Sequence, residues 1–175
     1  MIDLQNSRIL VTGGAGFVGS FIVDQSLDED VGEIIIIDNL VRGSHKNIEK
    51  ALDSGKVKFI SGDIRDTVLI DRVFKGIDYC FHMAALRITR CAENPKEALE
   101  VMCNGTFNVI DACIKHKVKK LVAASSASVY GTADIFPTKE THHPYNNHTL
   151  YGALKMANEL MLRAFNDMKN LNYVA

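Results

Sequence analysis

Short apolar segments alternate with longer segments of helical periodicity along this chain. The apolar segments predict buried strands, because they are short, rich in β-branched residues and bounded by turn residues. Strict alternation favours a parallel sheet with helices on both faces. We therefore predict one α/β domain over residues 1–175, a doubly wound parallel sheet of the Rossmann type in three layers. The predicted strands are 7–12, 33–38, 57–61, 77–82, 119–124 and 172–175, and the predicted helices are 16–28, 44–53, 66–75, 95–116 and 148–169.

The composition excludes several classes of protein. Hydrophobic residues make up 47% of the 175 residues, which is enough for a packed core. The net charge of −1 gives no overall positive field for nucleic acid or acidic membranes. No apolar run approaches the roughly 20 residues of a membrane span, and no secretory signal pattern is present, so we expect a soluble, cytoplasmic protein. The cysteines show no C-x-x-C pair, and we expect reduced, buried thiols at Cys80, Cys91, Cys103 and Cys113.

The first predicted strand leads directly into a glycine-rich turn at the start of a helix. Gly13, Gly16 and Gly19 stand there in a G-x-x-G-x-x-G run. Gly13 would allow a tight turn, Gly16 the close approach of backbone to a pyrophosphate, and Gly19 the packing of the helix on the sheet. The helix N-terminus offers free N–H groups and a positive dipole end to phosphate. The run predicts a dinucleotide site, with a purely structural turn as the alternative.

Acidic residues follow the second and third predicted strands. Asp38 lies 19 residues after Gly19, where a carboxylate can accept hydrogen bonds from adenosine ribose hydroxyls. It would also repel a 2′-phosphate, which favours NAD over NADP, although Arg42 is close in sequence; a strand-end turn cap is the alternative. Asp63 and Ile64 could contact adenine, or Asp63 could instead cap the next helix.

The fourth predicted strand ends at His82, followed by Met83, Ala84 and Ala85. The small residues would let a ribose and phosphate lie against the backbone. His82 itself is better explained as a hydrogen-bonded strand-end residue than as a catalyst.

A serine, a tyrosine and a lysine form a candidate catalytic group. Ser126 follows the fifth predicted strand, and Tyr151 and Lys155 are four apart on one face of the next helix. A nearby ammonium favours the phenolate, so Tyr151 could act as a general base while Ser126 binds the same substrate oxygen. A solvated helix face is the alternative for the Tyr–Lys pair alone.

Taken together and in this order, these motifs resemble the extended short-chain dehydrogenase/reductase family, and within it the nucleotide-sugar epimerases such as the UDP-glucose 4-epimerases. The resemblance implies bound NAD and a nucleotide-linked sugar, with a UDP-sugar favoured. It implies that tyrosine takes the proton of the sugar 4-hydroxyl while a hydride passes to the nicotinamide, and that hydride returns to the other face of the 4-keto sugar. It further implies that Lys155 contacts the cofactor and that Phe17, Val18, Asn39 and Arg87 line it.

The residues after Ser126 bear on the reaction. The family's dehydratases carry an acid pair there, whereas this chain has Ala127 and Ser128. Without a carboxylic acid to protonate a leaving hydroxyl, epimerisation or simple oxidoreduction fits better than dehydration.

Two departures from the family pattern stand out. Met102 occupies the place of an asparagine in the long helix, and Asn104 lies two positions further, on a different face. Family members also run to roughly twice the length of one domain, and their later half carries the sugar-nucleotide site. Because the chain stops at Ala175, inside a predicted strand, we expect the substrate-binding half to be absent. A truncated chain, a fragment and a gene remnant stay open, as does a non-catalytic NAD-binding module.

Two further features concern metals and partners. His142, His143 and His148 do not have the spacing of a helical ligand pair, so we expect no metal. The family resemblance implies that the loop carrying them flanks the substrate pocket. The helix over 148–169 is apolar around much of its circumference. Either its core-facing stripe is broad, or it packs with the 95–116 helix against a second copy in a homodimer.

Overall fold

The computed structural model describes residues 4–175 and contains a six-stranded parallel sheet. Its strand order is β3-β2-β1-β4-β5-β6, so the chain winds outward from β1 in one direction and then in the other. This order confirms the predicted doubly wound fold. All six predicted strands are present within two residues of their predicted bounds: β1 Arg8–Thr12, β2 Glu33–Asp38, β3 Val57–Ser61, β4 Tyr79–His82, β5 Lys120–Ala123 and β6 Tyr173–Val174.

The sheet is buried on both faces. Alternate side chains of β1 and β2 point to opposite faces, where they join two separate cores. On one face, Leu10 and Ile35 pack with residues of the helices at Thr67–Val73, Thr106–Lys115 and Leu150–Lys169. On the other face, Ile9 and Ile34 pack with Val23 of the helix at Phe17–Asp28. Helices therefore cover both faces, as the predicted three-layer arrangement requires.

Within residues 4–175, seven α-helices flank the sheet. Three further helical segments accompany them: 3₁₀ turns at His45–Asn47 and Ala127–Tyr130 and a π-helical segment at Leu99–Gly105. The α-helices are α1 Phe17–Asp28, α2 Glu49–Asp53, α3 Thr67–Val73, α4 Ile88–Glu93, α5 Pro95–Ala98, α6 Thr106–Lys115 and α7 Leu150–Lys169.

The helical regions differ from the prediction in detail. The predicted helix over 44–53 is a 3₁₀ turn followed by the short α2, and α4 was not predicted. The predicted helix over 95–116 is interrupted by the π-helical segment, which widens the turn and shifts the faces of the residues after it.

Side-chain caps fix where two of these helices start. Asp66 accepts the N–H groups of Val68 and Leu69 at the start of α3. The suggestion that Asp63 caps this helix is therefore wrong. Thr149 caps α7 by accepting the N–H of Gly152 at 3.1 Å, and this fixes the position of Tyr151 in the first turn.

No helix within residues 4–175 is long and apolar enough to cross a membrane. The four cysteines are free thiols, three of them buried and Cys103 partly exposed. This agrees with the expectation of reduced thiols.

Candidate cofactor and catalytic site

A cavity of about 520 Å³ lies at the carboxyl edge of the sheet. The strands are parallel and in register, so the segments that follow β1, β2, β3 and β4 all reach this edge. The volume falls in the range of about 300–1,000 Å³ typical of small-molecule sites. Most of the predicted site residues line the cavity: Gly13, Gly16, Phe17, Val18, Gly19, Asp38, Asn39, Asp63, Ile64, Met83, Ala84, Ala85, Arg87 and Tyr151.

The glycine loop is held tightly between β1 and the segment after β4. Gly13 has a φ of +69°, and a Cβ atom there would lie 2.7 Å from the backbone nitrogen of Ala84. A Cβ atom at Gly19 would overlap the carbonyl oxygen of Gly13. Only glycine fits these positions, and the resulting turn directs the N-terminus of α1 at the cavity.

Asp38 is nearly buried and accepts two backbone hydrogen bonds. Ala15 of the glycine loop donates to Oδ2 at 3.1 Å, and Leu40 donates to Oδ1 at 2.8 Å. The strand-end turn considered as an alternative is therefore present, and the same carboxylate lies on the cavity wall. Each oxygen has a second lone pair, so the turn role leaves it able to accept a ribose hydroxyl.

Asp63 and Asn39 meet across the ends of β3 and β2. The Asn39 amide donates to Asp63 at 3.0 Å, and Arg65 donates to both carboxylate oxygens of Asp63. The Arg65 hydrogen bond is the main reason that the pKa of Asp63 falls to about 2. This carboxylate stays ionised at neutral pH and remains a hydrogen-bond acceptor on the cavity wall.

Of the predicted catalytic group, only Tyr151 lines the large cavity. Lys155 lies one turn further along α7, nearly buried, with Nζ 6.0 Å from the centroid of the Tyr151 ring. Its Nζ donates to the carbonyl of Ala124 at 2.5 Å, and burial lowers its pKa. The Ser126 hydroxyl accepts the N–H of Ser128 at 3.1 Å and so caps the 3₁₀ turn.

A buried series of polar contacts joins the glycine-loop side of the sheet to α7. The N–H of Ala84 donates to the Thr12 hydroxyl at 3.3 Å, and that hydroxyl lies 2.7 Å from Nδ1 of His82. Nε2 of His82 is 3.0 Å from the Thr106 hydroxyl, which also accepts a hydrogen bond from Asn158 at 3.4 Å. His82 is thus a hydrogen-bonded strand-end residue, as predicted. Burial, with the charge of Lys155 second, lowers its pKa to about 3.

The structure also shows what occupies the place of the family asparagine. Met102 is buried in the π-helical segment, where its sulfur accepts a weak hydrogen bond from Cys91 at 3.6 Å. Asn104 is exposed. The two residues therefore lie on different faces, and Asn104 does not supply the missing amide.

Several residues line the cavity without having been predicted. Asn47, from the 3₁₀ turn after β2, also holds the glycine loop by donating to the carbonyl of Ala15 at 2.8 Å. Gly43 passes so close to Asp38 that a Cβ atom would lie 2.7 Å from its Oδ1. No local pattern indicates these contacts, because they depend on how the segment after β2 folds back. The unpredicted lining residues are Ile37, Val41, Gly43, Asn47, Gly62, Leu86, Ile88, Val101 and Ser128.

A doubly wound sheet with a glycine loop, a strand-end aspartate and a cavity between them defines a dinucleotide-binding domain of the Rossmann type. The model of the NAD dependent epimerase/dehydratase family matches residues 9–175. The chain belongs to this family.

Relatives of established or assigned activity are similar over nearly all of the chain. A putative UDP-glucose 4-epimerase from Methanocaldococcus jannaschii is 36% identical over 168 residues, which cover 94% of this chain and 53% of that protein. The UDP-N-acetylglucosamine 4-epimerase of Methanobrevibacter ruminantium, solved with UDP-N-acetylmuramic acid, superposes with a TM-score of 0.91 at 32% identity, covering 98% of this chain and 54% of that one.

The UDP-glucose 4-epimerase of Thermus thermophilus, solved with NAD, has a TM-score of 0.85 at 33% identity and covers 95% of this chain and 53% of that one. The chain thus spans about half the length of the relatives that it matches.

The low pKa of His82 predicts that the fold loses stability in acid. The folded pKa of about 3 is below the ordinary 6.5, so the stabilising contribution is complete above pH 6.5 and is lost as the pH falls towards 3. We expect the free energy of unfolding to fall by about 1.4 kcal/mol per pH unit in this window. Urea denaturation between pH 7 and pH 4.5 measures the slope.

The exposed His148 provides the control, since His148→Gln leaves this slope unchanged. Proton NMR of the imidazoles gives a direct check on the folded state. A His82 resonance that titrates near pH 6.5 would contradict the assignment.

Proposed function

We propose that this chain is the NAD-binding and catalytic part of a nucleotide-sugar 4-epimerase. The observation that carries the proposal is the position of Tyr151 on the wall of the same cavity that the glycine loop and Asp38 enclose. A general base and a dinucleotide cradle that share one cavity suit a hydride transfer coupled to removal of a hydroxyl proton.

The cavity fits a dinucleotide. Its glycine loop leaves the backbone uncovered where side chains would fill the space, and the first turn of α1 points its N–H groups at that space. Asp38, Asp63, Ile64 and Arg87 line the cavity, which supports the assignment of Asp38 to the adenosine ribose hydroxyls, Asp63 and Ile64 to adenine, and Arg87 to a phosphate. The Asp38 carboxylate disfavours a 2′-phosphate, so the cofactor is NAD rather than NADP.

Each proposed catalytic residue has a role that follows from its position. NAD, when bound, would supply the acceptor and donor of a hydride at C4 of the sugar. Tyr151 takes the proton of the sugar 4-hydroxyl, which leaves a 4-keto sugar, and gives a proton back when the hydride returns to the opposite face. The Lys155 ammonium lies 6.0 Å from the centroid of the Tyr151 ring, one turn along α7. The Ser126 oxygen already accepts a backbone N–H, so its own proton remains available for the substrate oxygen.

Epimerisation is favoured over dehydration by the turn after β5. Ala127 and Ser128 occupy the positions of a dehydratase acid pair, and Ser128 lies on the cavity wall beside Tyr151. Neither residue can protonate a departing hydroxyl as a carboxylic acid does. A UDP-sugar is the favoured substrate, because the three relatives described above are named for UDP-sugars. A cytoplasmic location stays a prediction.

Nucleotide binding tests the first half of the proposal. We expect calorimetric titration of the chain to show NAD binding at least about tenfold tighter than NADP, a difference of about 1.4 kcal/mol. Asp38→Asn should reduce that preference, because it removes the charge that repels the 2′-phosphate. Asp24→Asn, on the exposed side of α1, is the matched control and should change neither affinity. A folded chain that binds neither nucleotide would refute the proposal.

Tyr151→Phe tests the catalytic half. The phenol oxygen is lost while the ring that lines the cavity remains, so NAD affinity should stay within about twofold while turnover falls by about 10²- to 10⁴-fold. The measurement is interconversion of UDP-glucose and UDP-galactose with NAD present. Equal activity in the variant would exclude Tyr151 as the base. NAD binding without turnover of any UDP-sugar is the result expected of a non-catalytic module or of a chain without the substrate-binding half.

We also infer a homodimer through the long helices. Phe107 of α6 and Phe165 of α7 pack together with ring centroids 5.8 Å apart, yet Phe107 remains 44% exposed. Leu99 and Leu160, on the same two helical regions, are also about half exposed. An apolar surface shared by two adjacent helices is suited to a self-complementary contact with a second copy.

Light scattering tests the dimer. Phe107→Lys places a charge in the apolar surface and should shift the wild-type dimer towards monomer. Val68→Lys changes an exposed apolar residue on α3 and should leave the dimer intact. A wild-type chain that is monomeric at every accessible concentration would remove this inference.

A further inference from the structure

The long loop between the 3₁₀ turn at Ala127–Tyr130 and α7 closes on itself. Thr132 donates its N–H to the carbonyl of Asn146 at 3.0 Å, which brings the two ends of the loop together. This closure places Asp134 beside His142 and His143, eight and nine residues later in the chain. We call these three residues the His-Asp cluster.

The cluster has the spacing of a metal-ligand set. Oδ2 of Asp134 is 3.1 Å from Nε2 of His143 and 3.6 Å from Nε2 of His142, and the three ligand atoms all lie within 4.8 Å of one another. Bond lengths of about 2.0–2.2 Å in a tetrahedral zinc site put ligand atoms roughly 3.3–3.5 Å apart. The two nitrogen–oxygen distances, 3.1 and 3.6 Å, lie within about 0.2 Å of this spacing.

The His142 ring is oriented with its lone pair towards the cluster. The backbone N–H of Asp134 donates to Nε2 of His142 at 3.3 Å, which places the ring proton on Nδ1. The Nε2 lone pair accepts this long hydrogen bond, so a metal ion that binds Nε2 must displace the Asp134 N–H. Neutral imidazole is the form that binds a metal ion. The His142 side chain is 8% exposed, and its Nδ1 has no hydrogen-bond partner among residues 4–175. The Nδ1–H of this buried imidazole is therefore an unpaired donor, and the Asp134 N–H orients the ring from the side of the cluster.

Asn146 supports the carboxylate. Its Nδ2 donates to Oδ1 of Asp134 at 3.1 Å, with a longer contact of 3.4 Å to Oδ2. A second residue that orients a ligand in this way is typical of metal sites. Asp134 and His143 are about half exposed, so an ion can enter and water can complete its coordination.

We propose that Asp134, His142 and His143 bind one divalent transition-metal ion, of which zinc is the best match. Two imidazole nitrogens and one carboxylate oxygen favour zinc over magnesium or calcium, which prefer oxygen ligands alone. The sequence-based expectation of no metal considered only the histidines; the carboxylate comes from a residue that the loop closure brings to them.

A metal ion in the cluster would stabilise the loop that lies next to the candidate catalytic residues. Asn147, next to the closure, donates to the carbonyl of Ser128 at 2.7 Å. Gly131 packs against the backbone of Asn146 on the other side. An ion in the cluster therefore ties together the loop that links the Ser126 turn to the start of α7.

Zinc titration of the chelator-treated chain is the test. We expect one Zn²⁺ per chain, with affinity at least 100-fold lower in His142→Gln and in Asp134→Asn, and about 10- to 100-fold lower in Asn146→Ala. Zinc should also raise the thermal midpoint of the wild type and not of the first two variants. The readouts need no NAD and no turnover, so they are independent of the proposed function.

Two controls guard against adventitious binding. His116 also pairs with an aspartate, Asp71 at 2.8 Å, but has no second histidine beside it, so His116→Gln should leave zinc affinity unchanged. Cobalt in place of zinc should give visible bands of a nitrogen and oxygen site without a thiolate charge-transfer band. Equal zinc affinity in all variants, a thiolate band, or a folded chain that binds no zinc would each overturn the proposal, the last leaving the cluster a simple ion pair.

Discussion

The close approach of Gly13 to Ala84 determines the geometry of the site. A Cβ atom at Gly13 would lie 2.7 Å from the Ala84 nitrogen, so any other residue would push the ends of β1 and β4 apart. The same glycine turns the chain into α1 with a positive φ. Because Asp38 then accepts the N–H of Ala15, the glycine loop is fixed to β2 as well. One cavity with walls from four strand ends results from these contacts.

The glycine-loop side of the sheet and α7 form one unit. Thr12, His82, Thr106 and Asn158 connect β1, β4, α6 and α7 through hydrogen bonds in the protein interior. The low pKa of His82 comes mainly from burial, which disfavours the charged ring, and secondly from the charge of the buried Lys155. Movement of α7 relative to the sheet would disturb these bonds, so the position of Tyr151 is coupled to that of the glycine loop.

Sequence patterns located the strands and most of the segments that line the cavity, but they missed features that depend on long-range contacts. The six strands are apolar runs bounded by turn residues, and this signal is local. The π-helical segment around Met102 and the short α4 have no comparable signal, since packing between helices decides them. Ser126 was recognised by its position in a motif, yet the structure uses its hydroxyl to cap a turn and places Ser128 on the cavity wall.

By itself, the sequence determined the fold class, the glycine loop, Asp38 and the Tyr151–Lys155 pair, because each depends on periodicity or on spacing within one or two elements. Tertiary structure alone decided that Asn47 and Gly43 support the glycine loop and Asp38, that Lys155 faces the Ala124 carbonyl, and that Asp134 joins two histidines. The reason is physical: these contacts join residues whose separation is set by loop closure and by packing of helices on the sheet, and neither leaves a repeating pattern in the chain.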